Sequence, residues 1–208
     1  MPPLGMTHFA LPDQGGLERD PQTISSHRMP GASDEILLQN AVTMEVEVVR
    51  DGNNITVTVM LTNDLTGHHV PTDSPLRQVI LLVQAKDADG KELELVNGPK
   101  IPYWGGIGDP SKGYYAGLPG TGYAKILQEI WTGIAPSGAY WNPTRVLSDN
   151  RLAAFESDTT SYTFAASNGG KMTITVILLF RRAFVELMAQ KGWNFPDIVM
   201  EEEIITIP

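Results

Sequence analysis

Apolar and polar residues alternate along two neighbouring stretches of the chain, as they do in half-buried β-strands. The first stretch runs over residues 43–49, and the alternation returns from Ile55 to Leu61 with threonines on the opposite face. Between them, Asp51-Gly52-Asn53-Asn54 has the composition of a tight turn. The pattern therefore predicts a β-hairpin.

Later segments carry the same strand signals. Residues 78–86 are rich in Val, Ile and Leu, and residues 87–90 (Asp-Ala-Asp-Gly) predict a turn into a second strand at 91–96. Three more strands are predicted, at residues 160–166, 172–180 and 202–207, the first two flanking a Ser-Asn-Gly-Gly turn. About seven strands at this spacing favour a mainly β fold, an antiparallel immunoglobulin-like β-sandwich.

The remaining segments predict an arm and two short helices. Residues 1–32 lack periodicity and contain five prolines and four glycines, so we expect an extended N-terminal arm. Ser33-Asp34-Glu35 has the composition of a helix start. Residues 181–191 predict a second short helix that ends at Gly192. The domain prediction is an arm at 1–32 and a β-sandwich domain at 33–208.

A long insert rich in aromatic residues and glycine interrupts the strands between residues 98 and 142. It holds three of the four tryptophans, five of the six tyrosines and half of the glycines, and residues 123–131 could form one helix within it. Exposed aromatic rings can stack on sugar rings or a planar cofactor, or anchor a protein interface. The alternative is a small apolar core beneath the loop. The candidate interaction surface consists of Tyr103, Trp104, Tyr114, Tyr115, Trp131 and Trp141.

Composition removes several classes of function. The chain has 208 residues, no cysteine and a formal charge of −9. Without cysteine it can form no disulfide or thiolate metal site, and it can bind no haem covalently. Its acidity argues against nucleic acid as a partner. No apolar run is long enough to span a membrane, and the N-terminus does not resemble a signal peptide, which by itself would predict the cytosol.

No group of residues indicates catalysis or a metal site. His68 and His69 are adjacent and would point to opposite faces of a strand, so we expect a structural role in their loop. Ser74 and Ser148 lack the Gly-x-Ser-x-Gly context of a nucleophile. The Asp-Ala-Asp-Gly turn has Gly98 where a calcium loop requires Glu. The sequence therefore favours a non-catalytic protein.

Three segments together resemble multihaem c-type cytochromes. Ser26-His27-Arg28-Met29-Pro30-Gly31 and the leucines after it resemble the junction between the last haem motif of such proteins and a C-terminal β-sandwich. Residues 62–77, with Gly67-His68-His69-Val70-Pro71-Thr72 and Leu76-Arg77, are similar to the Asn…Gly-His-x-x-Pro-Thr…Leu-Arg signature of that sandwich. Residues 145–152 are similar to its Asp-x-Arg-Leu strand entry. Every Cys-x-x-Cys-His motif is absent.

This resemblance implies a function in electron transfer. The chain would be a domain of, or related to, a multihaem cytochrome that packs against a haem-carrying domain or subunit in the periplasm or outside the cell. His27 would be a distal ligand to a haem held by that partner. His68, His69 and Arg77 would shape a structural loop. From the aromatic insert, the alternative is a carbohydrate- or ligand-binding module.

Overall fold

Two compact units make up the chain, Met1–Asp34 and Glu35–Pro208. The computed structural model describes residues 3–25, 31–72, 74–166 and 170–208. Among these residues, no helix has both the length and the apolar character needed to cross a membrane. His27 lies outside the described residues, so its predicted role as a haem ligand stays a prediction.

The N-terminal unit doubles back on itself, which differs from the predicted extended arm. Pro3 forms a β-bridge with Ser25, and the backbone N–H of Leu4 donates to the carbonyl of Ile24 at 2.9 Å. A short 3₁₀ turn at Pro12–Gln14 ends at Gly15 with φ = 84°, a conformation that glycine adopts without strain. The glycines and prolines that indicated an irregular arm therefore reverse the chain direction.

The second unit is a β-sandwich, as predicted. Its described residues form two sheets of antiparallel strands, with orders β1-β2-β7-β4 and β6-β5-β3-β8-β9. The strands are β1 (Thr43–Asp51), β2 (Asn54–Thr62), β3 (Gln78–Lys86), β4 (Leu95–Asn97), β5 (Gly120–Glu129), β6 (Thr144–Asp149), β7 (Ser157–Ala165), β8 (Met172–Arg181) and β9 (Ile198–Ile207). Two short helices, α1 (Glu35–Gln39) and α2 (Val185–Lys191), complete it.

Alternating strand residues form the core. Every second residue of β2 from Ile55 to Leu61 is at most 2% exposed, as are Tyr162 and Phe164 of β7. Their counterparts on the second sheet, including Ile174 and Val176 of β8, are fully buried. Thr56 and Thr58 point the other way. The predicted first hairpin is confirmed, with Val46 opposite Val59 and Val48 opposite Val57.

The predicted pairing of residues 91–96 with β3 forms only in part, because the chain crosses between the sheets. After the turn at Asp87, the chain pairs with β3 only briefly, where Lys86 bridges Glu92. It then joins the other sheet as β4, which pairs with β7. Likewise β7 and β8 follow one another in sequence but lie in different sheets. Alternation of apolar residues defines a strand, but it does not select the neighbour that the strand pairs with.

The predicted helix at residues 123–131 is wrong. Residues 120–129 form β5, which pairs with β3 on one side and β6 on the other. Ala124 and Leu127 fit a helical spacing, but the backbone hydrogen bonds to two neighbouring strands stabilise the extended form in this setting. The region 98–142 is therefore two loops separated by a strand.

Candidate functional site

An open cleft of about 980 Å³ lies beside β5 and is lined mainly by aromatic and apolar side chains. Residues from four segments line it: 74 and 76 before β3, the turn at 103–104, Glu129 with the loop at 134–141 between β5 and β6, and the segment 184–193 that contains helix α2. Six aromatic side chains line it, namely Tyr103, Trp104, Tyr140, Trp141, Phe184 and Trp193. A concave site with this lining suits an organic ligand with an apolar face.

Trp104 forms the inner part of the cleft. It is only 6% exposed and packs with Ala124, Ile126 and Phe184. Its ring lies directly on Gly122 of β5, where an added Cβ would overlap the indole. The absence of a side chain at residue 122 therefore allows the tryptophan to lie close to the sheet.

The carboxylate of Glu129 organises the loop between β5 and β6. It accepts hydrogen bonds from the hydroxyls of Thr132 (2.7 Å) and Ser137 (2.8 Å) and from the amide of Asn142 (3.0 Å). The bond from Thr132, followed by that from Ser137, holds the pKa of this carboxyl below its ordinary value. Because three donors already occupy its oxygens, Glu129 positions the loop and is not a free acid–base group.

Three aromatic residues of this loop remain exposed. Trp131, Tyr140 and Trp141 are 75%, 92% and 69% exposed. The rings of Tyr140 and Trp141 meet edge to face with centroids 4.9 Å apart. Of the three, Trp131 alone does not line the cleft. The loop therefore presents aromatic rings both to the cleft and away from it.

Helix α2 contributes the polar side of the cleft. Glu186, Gln190 and Lys191 line it and are exposed. None of these three side chains forms a hydrogen bond or ion pair with another residue in the part of the chain that the structure describes. The helix ends at Gly192, whose N–H donates to the carbonyls of Met188 and Ala189. The residues therefore offer a carboxylate, an amide and an ammonium group to a ligand.

A buried arginine fastens the first of the two loops. Arg181, 1% exposed at the end of β8, donates to the carbonyls of Gly105 (3.0 Å) and Gly113 (2.6 Å). It also forms a bidentate ion pair with Asp197. Its guanidinium lies 5.2 Å from the ring centre of Tyr115, where burial, and then Asp197, raises the pKa of the phenol. The loop that carries Tyr103 and Trp104 is thus fixed to the sheet.

The predicted interaction residues divide into three groups. Tyr103, Trp104 and Trp141 line the cleft, and Trp131 is exposed beside it. Tyr114 and Tyr115 are partly buried under their own loop. The sequence prediction omitted Tyr140 within the insert, as well as Phe184 and Trp193. The last two lie more than 40 residues beyond the insert, so no pattern in it could have indicated them.

The predicted structural loop is held by a residue at its start. Asn63 is fully buried, and its amide donates to the carbonyls of His68 (2.7 Å) and Leu152 (3.1 Å). Its side-chain oxygen accepts from Thr66 at 2.6 Å. His68 and His69 are exposed.

Arg77 is partly buried at the other end of this loop and donates to the carbonyl of Thr72 at 3.2 Å. Within the described ranges, no three acidic, histidine or cysteine side chains are grouped as metal ligands would be.

A solved structure has a similar fold. The chain is similar to the crystal structure of a penta-heme cytochrome c552 from Thermochromatium tepidum, with a TM-score of 0.63 and 20% sequence identity. The match covers 85% of this chain and 42% of the cytochrome, so the chain spans less than half of that protein. No protein-family model and no curated protein matches. The likeness shows that the two proteins share a fold.

Proposed function

We propose that this chain is a non-catalytic β-sandwich domain of, or related to, a multihaem cytochrome, and that it packs against a haem-carrying domain or subunit. The observation that carries the proposal is the shared fold, which covers most of this chain but less than half of the penta-heme cytochrome. In that protein, more than half of the chain lies outside the matched region. The haem-carrying domain or subunit would supply the haem groups and the electron-transfer function, in the periplasm or outside the cell.

The exposed aromatic loop supports packing against a partner. Trp131, which does not line the cleft, projects from a loop that Glu129 holds through three hydrogen bonds, and Ile130 beside it is more than half exposed. Aromatic side chains that are ordered before binding lose little conformational entropy on association, so they contribute strongly to interfaces. A haem-carrying domain would cover this surface.

The sequence of the surrounding gene tests the proposal. We expect Cys-x-x-Cys-His motifs in the same reading frame or in one next to it. The protein or domain that carries these motifs is then produced together with this chain. Quenching of tryptophan fluorescence by the haem groups reports contact between them. Trp131→Ala should weaken the association. Absence of haem-attachment motifs from all these frames would overturn the proposal.

The predicted role of His27 has a separate test. Ferric haem is added to the full chain and to its variants, and the Soret band is recorded. If the imidazole of His27 binds iron, the spectral shift is present in the unmodified chain, lost in His27→Ala and retained in His8→Ala, the matched change elsewhere in the arm. Equal spectra for all three proteins would exclude His27 as the ligand.

A further inference from the structure

We propose that the aromatic cleft binds a neutral oligosaccharide. The inference rests on the composition of the cleft walls and does not depend on packing against a haem domain. Trp141 and Tyr103 supply exposed rings, and α2 supplies polar groups. A pyranose ring has the matching chemistry, because its C–H faces contact aromatic rings while its hydroxyls form hydrogen bonds at the edge.

The polar groups on α2 match hydroxyls better than ions. Glu186 accepts, Lys191 donates, and Gln190 can do both. Glu186 and Gln190 are one helical turn apart, so both lie on the side of α2 that lines the cleft. Each sugar hydroxyl is both a donor and an acceptor. The charges of Glu186 and Lys191 cancel on this wall, and the third charged lining residue, Glu129, already accepts three hydrogen bonds from its own loop, so the cleft suits a neutral ligand.

Charge disfavours anions and size disfavours small cations as occupants of the cleft. A cleft of about 980 Å³ lies at the upper end of the range for organic ligands, so it accommodates several sugar rings and is far larger than a single organic cation requires. The chain carries a net charge of −9, which repels phosphates and carboxylates. An extended neutral ligand with flat apolar faces remains.

Contacts within the chain hold the walls of the cleft in place. Glu129 fixes the loop of Trp141, and Arg181 fixes the loop of Tyr103. Gly138 lies against Leu76 so closely that a Cβ would overlap the leucine side chain. Because these walls are already ordered, they lose less conformational entropy when a ligand binds.

Isothermal titration of the full chain with defined sugars tests the proposal. The probes are the β-1,4-linked tetrasaccharides of glucose and N-acetylglucosamine, whose equatorial substituents leave both ring faces flat, and a uronic acid tetrasaccharide as the anionic counterpart. We expect saturable binding of at least one neutral probe and weaker binding of the uronic acid. Trp141→Ala should weaken the affinity roughly tenfold.

The chain offers a matched control for this change. Trp131 belongs to the same loop and is equally exposed, but it does not line the cleft, so Trp131→Ala should leave sugar affinity unchanged. Glu186→Gln should weaken binding, because it exchanges an acceptor oxygen for a donor.

Three results would overturn the proposal. The first is the absence of binding of both neutral probes at millimolar concentration. The second is an equal loss of affinity in Trp131→Ala and Trp141→Ala. The third is saturation by tetramethylammonium without saturation by any sugar, which would identify a site for organic cations. The gene-sequence test of the haem-domain proposal is independent of all three.

Discussion

Arg181 and Asp197 form a bidentate ion pair, with Nε to Oδ1 at 2.8 Å and Nη2 to Oδ2 at 2.6 Å. The arginine side chain is 1% exposed and the aspartate 14%. The pair joins the end of β8 to the segment that leads into β9. The same guanidinium holds the loop that carries Trp104 through the carbonyl of Gly105. The ion pair thus connects the second sheet to one wall of the cleft.

Asp197→Asn should lower the free energy of unfolding by about 3 kcal/mol, because it leaves the buried guanidinium without a counter-charge. The matched change is Asp149→Asn, which breaks the more exposed ion pair with Arg151 and should cost less than about 1 kcal/mol. Urea unfolding followed by tryptophan fluorescence measures both. Equal losses of unfolding free energy in Asp197→Asn and Asp149→Asn would contradict the role assigned to the buried ion pair.

Two buried amide side chains should respond to substitution in opposite directions. Asn63 and Gln78 are both fully buried, but Asn63 forms three hydrogen bonds whereas neither amide atom of Gln78 has a partner within the described residues. Gln78→Met should raise the free energy of unfolding by about 1 kcal/mol, because it removes a desolvated polar group. Asn63→Leu should lower it by about 2 kcal/mol. Destabilisation by Gln78→Met would indicate that the amide of Gln78 has a partner.

Gly122→Ala should displace Trp104 from the sheet. The added Cβ would overlap the indole, and such overpacking costs about 1–3 kcal/mol. The control is Gly67→Ala, because an added Cβ there meets nothing within 4 Å, and its effect should stay within about 0.5 kcal/mol. Unfolding curves give the stability, and the tryptophan emission maximum reports solvent exposure of the ring. An unshifted maximum in Gly122→Ala would contradict this packing.

Glu129 should make stability depend on pH. Since its pKa is lowered on folding, the carboxylate stabilises the folded state above its ordinary pKa of 4.5, and this contribution is lost as the pH falls through the lower folded value. Glu129→Gln should therefore lower the Tm at about pH 7, and the difference from the unmodified chain should narrow below pH 4.5. Scanning calorimetry of both proteins, from about pH 7 to below pH 4.5, measures this difference in Tm.

Glu201 provides a control in which substitution by Gln should change the Tm in the opposite direction. Burial raises the pKa of this carboxyl, so its ionisation opposes folding. Glu201→Gln should raise the Tm at neutral pH, with the gain disappearing in acid as the native carboxyl becomes protonated. A pH-independent effect of either substitution would show that the carboxylate charge is not responsible.

Local patterns predicted most of the sandwich strands and the pairing of β1 with β2, but not the partners of the later strands. Apolar alternation indicated β2 and β8, because a buried face selects every second residue. This alternation is the same whichever strand is the neighbour, so it does not identify the pairing partner. The pairing of β4 with β7, and the separation of β7 from β8, depend on inter-strand contacts between distant residues.

The sequence predicted only part of the candidate site, because local patterns do not show which distant residues come together. The density of tryptophan and tyrosine between residues 98 and 142 indicated an aromatic surface, and Trp104 and Trp141 both line the cleft. Residue type does not determine exposure, so the sequence did not distinguish the buried Trp104 from the exposed Trp131. Phe184 and Trp193 reach the cleft from the segment after β8.

By itself, the sequence determined the β-sandwich class, the first hairpin, the helix that ends at Gly192 and the absence of the cysteines that attach a c-type haem. Each follows from residue type and short-range spacing, which set backbone preference and available chemistry. The tertiary structure alone decided the sheet order, the extended form of residues 123–129 and the assembly of the cleft from four separate segments. These features depend on hydrogen bonds and packing between residues far apart in the chain, which local periodicity does not encode.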